Sequence, residues 1–178
     1  MNVETVTDCL IGFDKKRNGQ PITQLDVQKH LYFIQGFHLA LCHEPLFPDD
    51  LYAWRNGPVV KSVWQRLKSF GDRPIPKTAM QTRGAQDLPE GSRNLIERVW
   101  HVFSVVDTGG LVGLTHLRGT PWEIVRTKEG IGWGDPSDVL IPKHLLSEYF
   151  SRIMDTMLEP DDEHSHIMTD DEWNALAA

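Results

Sequence analysis

Residues 115–123 hold the side chain with the most obvious chemical potential, because His116 lies there close to Arg118 and Glu123. An imidazole exchanges protons near neutral pH, so an enzyme that uses His116 for acid-base work is one hypothesis. A histidine just before a helix start more often fixes a turn through hydrogen bonds, and the sequence shows no nucleophile that must lie beside it. We therefore predict no catalytic residue and keep an enzyme centred on His116 as a minor alternative.

The sequence also lacks the motifs that hold common cofactors and metals. It contains no Gly-rich phosphate loop, His-Glu-x-x-His, Cys-x-x-Cys or Gly-x-Ser-x-Gly segment. His164 and His166 stand among acids, but a tail without fixed structure makes a poor cage for a metal. Cys9 and Cys42 fall in helical patterns, and we expect both to be buried free thiols. We predict neither a metal nor a cofactor.

Length and composition predict one globular domain followed by an acidic tail. The chain has 178 residues, of which 40% are hydrophobic, and a net charge of -7, values typical of a folded domain. Residues 155–178 hold eight acids and no Lys or Arg. We therefore place the domain at residues 1–158 and a flexible tail at 159–178. No apolar run is long enough to cross a membrane, and we expect a cytoplasmic protein.

A local excess of positive charge lies between residues 55 and 83. Seven Lys and Arg residues stand there against Asp72 alone. This excess could attract a phosphate backbone, so a nucleic-acid-binding regulator is the main alternative function. A solvated helix face explains the pattern as well. The segment does not resemble a helix-turn-helix and the chain is acidic as a whole, so we regard nucleic acid as an unlikely partner.

Apolar periodicity predicts a mainly α fold, a compact single-domain bundle of about six to seven helices with at most a small two-stranded β element. Thr23 and Asp26 form a capping box that starts a long second helix ending near residue 43, and Thr120-Pro121 starts another helix. The segment 51–55 reads as a strand, which we expect to pair with a short strand around Ile75. Pro58 is expected to open the third helix.

One stripe of the second helix is polar but uncharged. Its members are Gln24, Gln28, Gln35, His38 and Cys42. Amides and an imidazole suit a half-buried seam or a groove where a partner supplies hydrogen bonds. A plain solvent face or an internal polar network explains the stripe equally well.

Three segments together resemble the Panacea domain family, also met as SocA-like or GepA-like phage-associated proteins. They are residues 29–40, 53–60 and 115–123, and their order and spacing match as a set. The direct matches are Gln28, Lys29, Leu31, Tyr32, Gln35, Gly36, His38, Trp54, Gly57, Pro58, Val59, Thr115, His116, Pro121 and Trp122. His30, Ile34 and Phe37 depart from the family pattern.

The resemblance implies an antitoxin of a toxin-antitoxin system, which neutralises a co-encoded protein toxin by direct protein-protein contact. Some members act instead as proteolytic adaptors that deliver the toxin to the ClpXP protease. The partner-binding residues that we predict on this basis are Gln28, Lys29, Tyr32, Gln35, His38, Trp54, Arg55, Asn56, His116 and Trp122.

The final residues resemble the end of the tag that marks stalled translation products for ClpXP. They read Ala175-Leu176-Ala177-Ala178. We therefore interpret Leu176, Ala177 and Ala178 as a degradation or protease-docking signal, although so short an alanine-rich ending also arises by chance.

Overall fold

The computed structural model describes residues 1–13, 16 and 18–158. Seven α-helices lie in this part of the chain and confirm the mainly α prediction. They are α1 (Val3–Gly12), α2 (Gln24–Cys42), α3 (Lys61–Leu67), α4 (Glu90–Phe103), α5 (Thr108–His116), α6 (Pro121–Lys128) and α7 (Lys143–Leu158). Short 3-10 turns at Lys68–Phe70, Lys77–Ala79 and Gly84–Asp87 join α3 to α4.

The helix α2 forms the centre of the fold, with neighbours on most of its sides. Its capping box is present, because the Thr23 side chain accepts from the Asp26 backbone and the Asp26 side chain accepts from the Thr23 backbone. Gly36 lets α7 approach closely, since a Cβ there would lie 2.1 Å from Cε2 of Phe150. Phe33 stacks on Phe103 of α4 with ring centroids 4.0 Å apart. Apolar burial on this scale supplies most of the stability of such a helix.

A three-stranded antiparallel sheet lies at one end of α2. The strands β1 (Leu51–Trp54), β2 (Gly57–Val60) and β3 (Leu140–Ile141) are ordered β2-β1-β3. The prediction of a partner strand around Ile75 is wrong, because Ile75 donates its N–H to the carbonyl oxygen of Ile22. The third strand was not foreseen, since a two-residue strand carries no alternation in the sequence.

The prediction that Pro58 opens the third helix is also wrong. Pro58 lies within β2, paired with Ala53, and α3 begins at Lys61. Proline has a preset backbone angle that suits a helix start, but it is equally tolerated in an edge strand, where its missing N–H interrupts no ladder. Arg55 and Asn56 are the two residues between the paired Trp54 and Gly57, and they form the tip of the hairpin.

Two groups of buried charges tie the helices together. Asp26 forms an ion pair with Lys16 at 2.8 Å and accepts from Thr108 at 2.7 Å. Arg66 of α3 donates to Glu4 and Asp8 of α1. Burial alone would raise the pKa of Asp26, but hydrogen bonds from Lys16, Thr23 and Thr108 lower it below its usual value. The Asp26 carboxylate is therefore held in the ionised form.

The two cysteines differ in their exposure. Cys9 is buried as expected, but Cys42 is exposed, because it is the last residue of α2 and lies at the surface end of the helix. None of the described helices is long and apolar enough to span a bilayer.

Candidate interaction site

The first motif segment holds the hairpin through the side-chain amide of Gln28. Its Oε1 accepts from the backbone N–H of Val60 at 2.8 Å, and its Nε2 donates to the carbonyl oxygen of Val60 at 3.3 Å. Gln28 is fully buried. The amide therefore satisfies both backbone groups of Val60 on the free edge of β2, as an additional strand would.

Lys29 makes a second buried connection to the same strand. Its ammonium donates to the carbonyl oxygen of Pro58 at 3.0 Å and forms no ion pair within the described residues. Burial lowers the pKa of Lys29 from its ordinary 10.5 to about 7. Gly57, with a φ of 98°, makes this packing possible, because a Cβ there would lie 2.6 Å from Nζ of Lys29 and 2.7 Å from Oγ1 of Thr115.

The third motif segment holds the other strand of the hairpin. The indole N–H of Trp122 donates to the carbonyl oxygen of Trp54 at 2.7 Å. Arg126, one turn further along α6, donates to the carbonyl oxygen of Ala53 at 2.9 Å. Arg126 also donates to the carbonyl oxygens of Gly132 and Asp135. A single buried guanidinium thus fixes both β1 and the loop that follows α6.

His116 is half-buried and forms an aromatic cluster with two indole rings that also contact each other. Its ring stacks on Trp122 with centroids 3.8 Å apart, and Trp133 meets it edge-on at 5.8 Å. Burial, followed by the positive charges of Lys29 and Arg126, lowers the pKa of His116 to about 4. Its Nε2 is buried without a hydrogen-bond partner among the described residues. The role seen here is stacking on Trp122, and the expectation that His116 fixes the turn through hydrogen bonds is not supported at Nε2.

Members of the polar stripe of α2 differ in their surroundings: Gln28 and Gln35 make buried hydrogen bonds, whereas His38 makes a contact near the surface. Gln35 brackets the turn before the sheet, because its amide donates to the carbonyl oxygen of Phe47 at 2.8 Å and accepts from the N–H of Leu46 at 3.0 Å. The interpretation as an internal polar network is therefore correct for Gln28 and Gln35. His38 is only half-buried, and its Nδ1 lies 2.8 Å from the carbonyl oxygen of Glu44.

Tyr32 is fully buried on the same helix. Its ring meets Phe150 edge-on with centroids 5.3 Å apart, and burial raises the pKa of its phenol well above the usual range. Its hydroxyl has no hydrogen-bond partner among the described residues. In this conformation Tyr32 contributes to the core, where a binding partner does not reach it.

The tip of the hairpin is the exposed part of the motif cluster. The Arg55 and Asn56 side chains are both exposed. Trp54 is half-buried, and its indole N–H donates to Asp138 at 2.8 Å. Lys61 forms an ion pair with the same carboxylate at 2.6 Å. These groups border a shallow depression of about 700 Å³, lined by Trp54, Lys61, Pro136, Ser137 and Asp138.

Most of the basic residues between 55 and 83 already have intramolecular partners. Lys61 pairs with Asp138, Arg66 with Asp8 and Glu4, and Arg83 with Asp87. Arg73 donates to two backbone carbonyl oxygens. Three of the seven basic side chains are therefore ion-paired within the described part of the chain, which leaves less positive charge to neutralise a phosphate backbone.

The sequence identified most members of this cluster but missed Arg126, Trp133 and Asp138. Arg126 lies four residues after Trp122 and shares its buried helix face, a spacing that could have drawn attention to it. Asp138 and Trp133 belong to an irregular loop, where the sequence has no hydrophobic periodicity from which their positions could be predicted. Within the described residues no group of three or more His, Cys, Asp or Glu side chains could hold a metal ion. Leu176, Ala177 and Ala178 lie outside the described residues.

Taken together, the three motif segments form a scaffold that presents an exposed hairpin tip on a helical domain, an arrangement suited to binding another macromolecule. Residues 27–123 match the family described as Antitoxin SocA-like, Panacea domain. This match covers more than half of the chain, and the protein belongs to that family, which confirms the resemblance noted in the motifs.

A similar curated protein is Antitoxin SocA of Caulobacter vibrioides. The two are 29% identical over 126 residues, which cover 64% of this chain and 65% of the relative. The match therefore spans slightly less than two thirds of that relative. No solved structure matches the chain.

Proposed function

We propose that this protein is an antitoxin that neutralises a co-encoded protein toxin by binding it directly. Two findings support the proposal: the chain belongs to the SocA-like Panacea family, and its motif residues fasten an exposed hairpin tip. We assign the toxin-binding surface to the hairpin tip because Arg55 and Asn56 are exposed there. The backbone beside them is held in place by hydrogen bonds from Trp122 and Lys29. A preordered tip binds with less loss of conformational entropy than a loose loop.

The ten predicted partner-binding residues then divide into two roles. Arg55 and Asn56, with the accessible edges of Trp54, His38 and His116, contact the toxin. The buried members have structural roles instead: Gln28, Lys29 and Trp122 bond to the hairpin backbone, whereas Gln35 fixes the turn at Leu46-Phe47 and Tyr32 packs in the core. Arginine and tryptophan are enriched among the residues that dominate binding energy, which favours Trp54-Arg55 as the centre of the contact.

The role we propose is regulatory and not catalytic, and it is exerted in the cytoplasm. His116 has its ring stacked on Trp122 and in edge contact with Trp133, so the enzyme alternative has little support. The regulator that binds nucleic acid through residues 55–83 is also less well supported, because Lys61, Arg66 and Arg83 already form ion pairs within the chain.

Co-expression with the neighbouring open reading frame tests the proposal. We expect that gene to be toxic alone and to be rescued by this protein. Arg55→Glu combined with Asn56→Ala should abolish rescue while leaving the melting temperature unchanged. Lys77→Glu is the matched control, because it makes the same charge change at an exposed residue away from the hairpin. A neighbouring product that is harmless, or rescue that survives the hairpin variant as well as it survives the control, contradicts the assignment.

Delivery of the toxin to ClpXP is a further part of the proposal, with Leu176-Ala177-Ala178 as the docking or degradation signal. The relevant variant replaces Ala177 and Ala178 by Asp. If the signal acts as proposed, this variant lengthens the cellular half-life of the antitoxin or of the bound toxin. Unchanged half-lives for both proteins reject the signal but leave direct neutralisation intact.

A further inference from the structure

A groove separate from the hairpin tip lies between the end of α7 and the turn that joins α5 to α6. It has a volume of about 430 Å³. Its lining residues are Arg118, Gly119, Tyr149, Arg152, Ile153 and Thr156. The groove therefore combines the apolar side chains Tyr149 and Ile153 of α7 with two arginines, Arg152 of the same helix and Arg118 of the turn.

The two arginines of the groove have no acidic partners in the described part of the fold. Arg118 and Arg152 are both exposed, and neither forms an ion pair within the residues that the structure describes. Within that part of the chain the guanidinium of Arg152 makes one hydrogen bond, from its Nε to the carbonyl oxygen of Glu148 at 3.3 Å. Beside the groove, Leu117 has 54% of its surface exposed. Such a surface suits a peptide that brings carboxylates to the two guanidiniums and an apolar side chain to the space between them.

We propose that the groove binds the acidic C-terminal segment of this same chain, residues 159–178. That segment has no Lys or Arg, and its apolar pair Ile167-Met168 stands between two acidic runs, Asp161–Glu163 and Asp170–Glu172. The acidic runs carry the charge opposite to that of Arg118 and Arg152, and the apolar pair suits contact with Tyr149 and Ile153. Charge complementarity of this kind selects one segment over others of similar hydrophobicity.

Chain length permits the contact and tethering favours it. Thr156 of α7 lines the groove, and Ile167 follows 167 − 156 = 11 residues later. Eleven residues span up to about 36 Å when extended, which is more than a return along the last turns of a helix requires. A segment joined by so short a linker has an effective concentration of about a millimolar or more, so even a weak intrinsic affinity populates the contact.

The docked segment covers Leu117 and brings the end of the chain against the domain, so the groove is occupied before any other protein arrives. A competing acidic partner has to displace the tail. This arrangement does not depend on the antitoxin proposal, because both halves of the contact belong to this chain.

Photo-crosslinking in the full chain tests the contact. Met168→p-benzoylphenylalanine places the probe at the apolar centre of the segment, and mass spectrometry maps the peptides to which it joins. We expect an intramolecular cross-link to the peptides that contain Tyr149–Ile153 or Leu117–Gly119. Its yield should fall at least about threefold in 1 M NaCl, where charges are screened beyond about 3 Å.

Charge-reversal variants distinguish binding in the groove from a general attraction between the acidic segment and basic residues elsewhere on the domain. Arg118→Glu with Arg152→Glu should abolish the cross-link, whereas Lys77→Glu with Lys128→Glu makes the same change of net charge at exposed sites elsewhere and should preserve it. Cross-links scattered over the surface, cross-links between two chains, or equal yields from both double variants overturn the proposal. The cross-link is measured without a toxin, so its failure is distinguishable from failure of the proposed function.

Discussion

The indole N–H of Trp122 lies 2.7 Å from the carbonyl oxygen of Trp54, which joins the third motif segment to the second. Gln28 and Lys29 make the corresponding bonds from the first segment to Val60 and Pro58. Residues far apart in sequence thus form one unit around the hairpin. The motif residues therefore have mainly a structural role. They hold the hairpin whose exposed tip is Arg55-Asn56.

Gly57→Ala should destabilise the fold severely. The new Cβ would lie 2.6 Å from Nζ of Lys29, and the φ of 98° is strained for any residue with a side chain. We expect a loss of about 2–4 kcal/mol in the free energy of unfolding, measured by urea denaturation.

Gly113→Ala is the control for that substitution. Gly113 lies inside α5, and a Cβ there meets no atom within 4 Å. Alanine should raise stability by about 0.5–1 kcal/mol at such a helical site. Equal effects of the two substitutions would show that close packing against Lys29 is not the reason for Gly57.

Gln28→Ala should weaken the attachment of β2 to α2. The change leaves the buried N–H and C=O of Val60 without their side-chain partners, at a cost of about 1–3 kcal/mol for each group that water does not reach. Gln65→Ala, at an exposed site on α3, should change stability by less than about 0.5 kcal/mol. Amide hydrogen exchange at Val60 provides the direct measurement: its protection should fall in Gln28→Ala and persist in Gln65→Ala.

Lys29 should make stability increase with pH above neutrality. The pKa of Lys29 is about 7 in the folded chain and has an ordinary value of 10.5. Between these values unfolding takes up a proton, so the free energy of unfolding rises with pH by up to about 1.4 kcal/mol per unit. Below pH 7 the penalty of the buried charge is fully present. Cys9, whose burial raises its pKa from 9.0 to about 12, acts in the opposite direction above pH 9.

The Lys29 prediction is therefore measured between pH 7 and pH 9. Urea unfolding of Lys29→Met should show a smaller slope of stability against pH than the parent chain. The exposed-site variant Lys77→Met should retain the parental slope. A Lys29→Met variant that folds and keeps the full slope would mean that the buried ammonium is not its source.

His30 should make the protein lose stability in mild acid. Burial lowers its pKa from 6.5 to about 4, and its Nδ1 lies 2.8 Å from the carbonyl oxygen of Asp26. The unfolded chain binds a proton that the folded chain does not, so stability falls as the pH decreases from 6.5 towards 4. His116 acts in the same direction, so His30→Phe should reduce the acid slope without abolishing it. His144→Phe, at an exposed site, should leave the slope unchanged.

Patterns within one element were predictable, and pairings between distant elements were not. The Thr23-Asp26 capping box and the Thr120-Pro121 helix start are local, and the structure contains both. The partner of β1 was misplaced because Leu140–Ile141 is too short to carry a period. The strand that contains Pro58 is held by tertiary bonds from Gln28 to Val60 and from Lys29 to Pro58, which no local pattern shows. The resemblance named Lys29 among the motif residues and left Arg55 outside the direct matches, but it did not show that Lys29 would be buried.

Titration calorimetry of the purified protein with the product of the neighbouring open reading frame tests direct neutralisation most closely. We predict saturable binding with a dissociation constant of about 10⁻⁷ M or tighter. The Arg55→Glu, Asn56→Ala variant should bind at least about tenfold more weakly, because truncating central contact residues costs more than 1 kcal/mol each. No measurable heat with a neighbouring protein that is toxic in cells, or full affinity in the hairpin variant, would contradict the account.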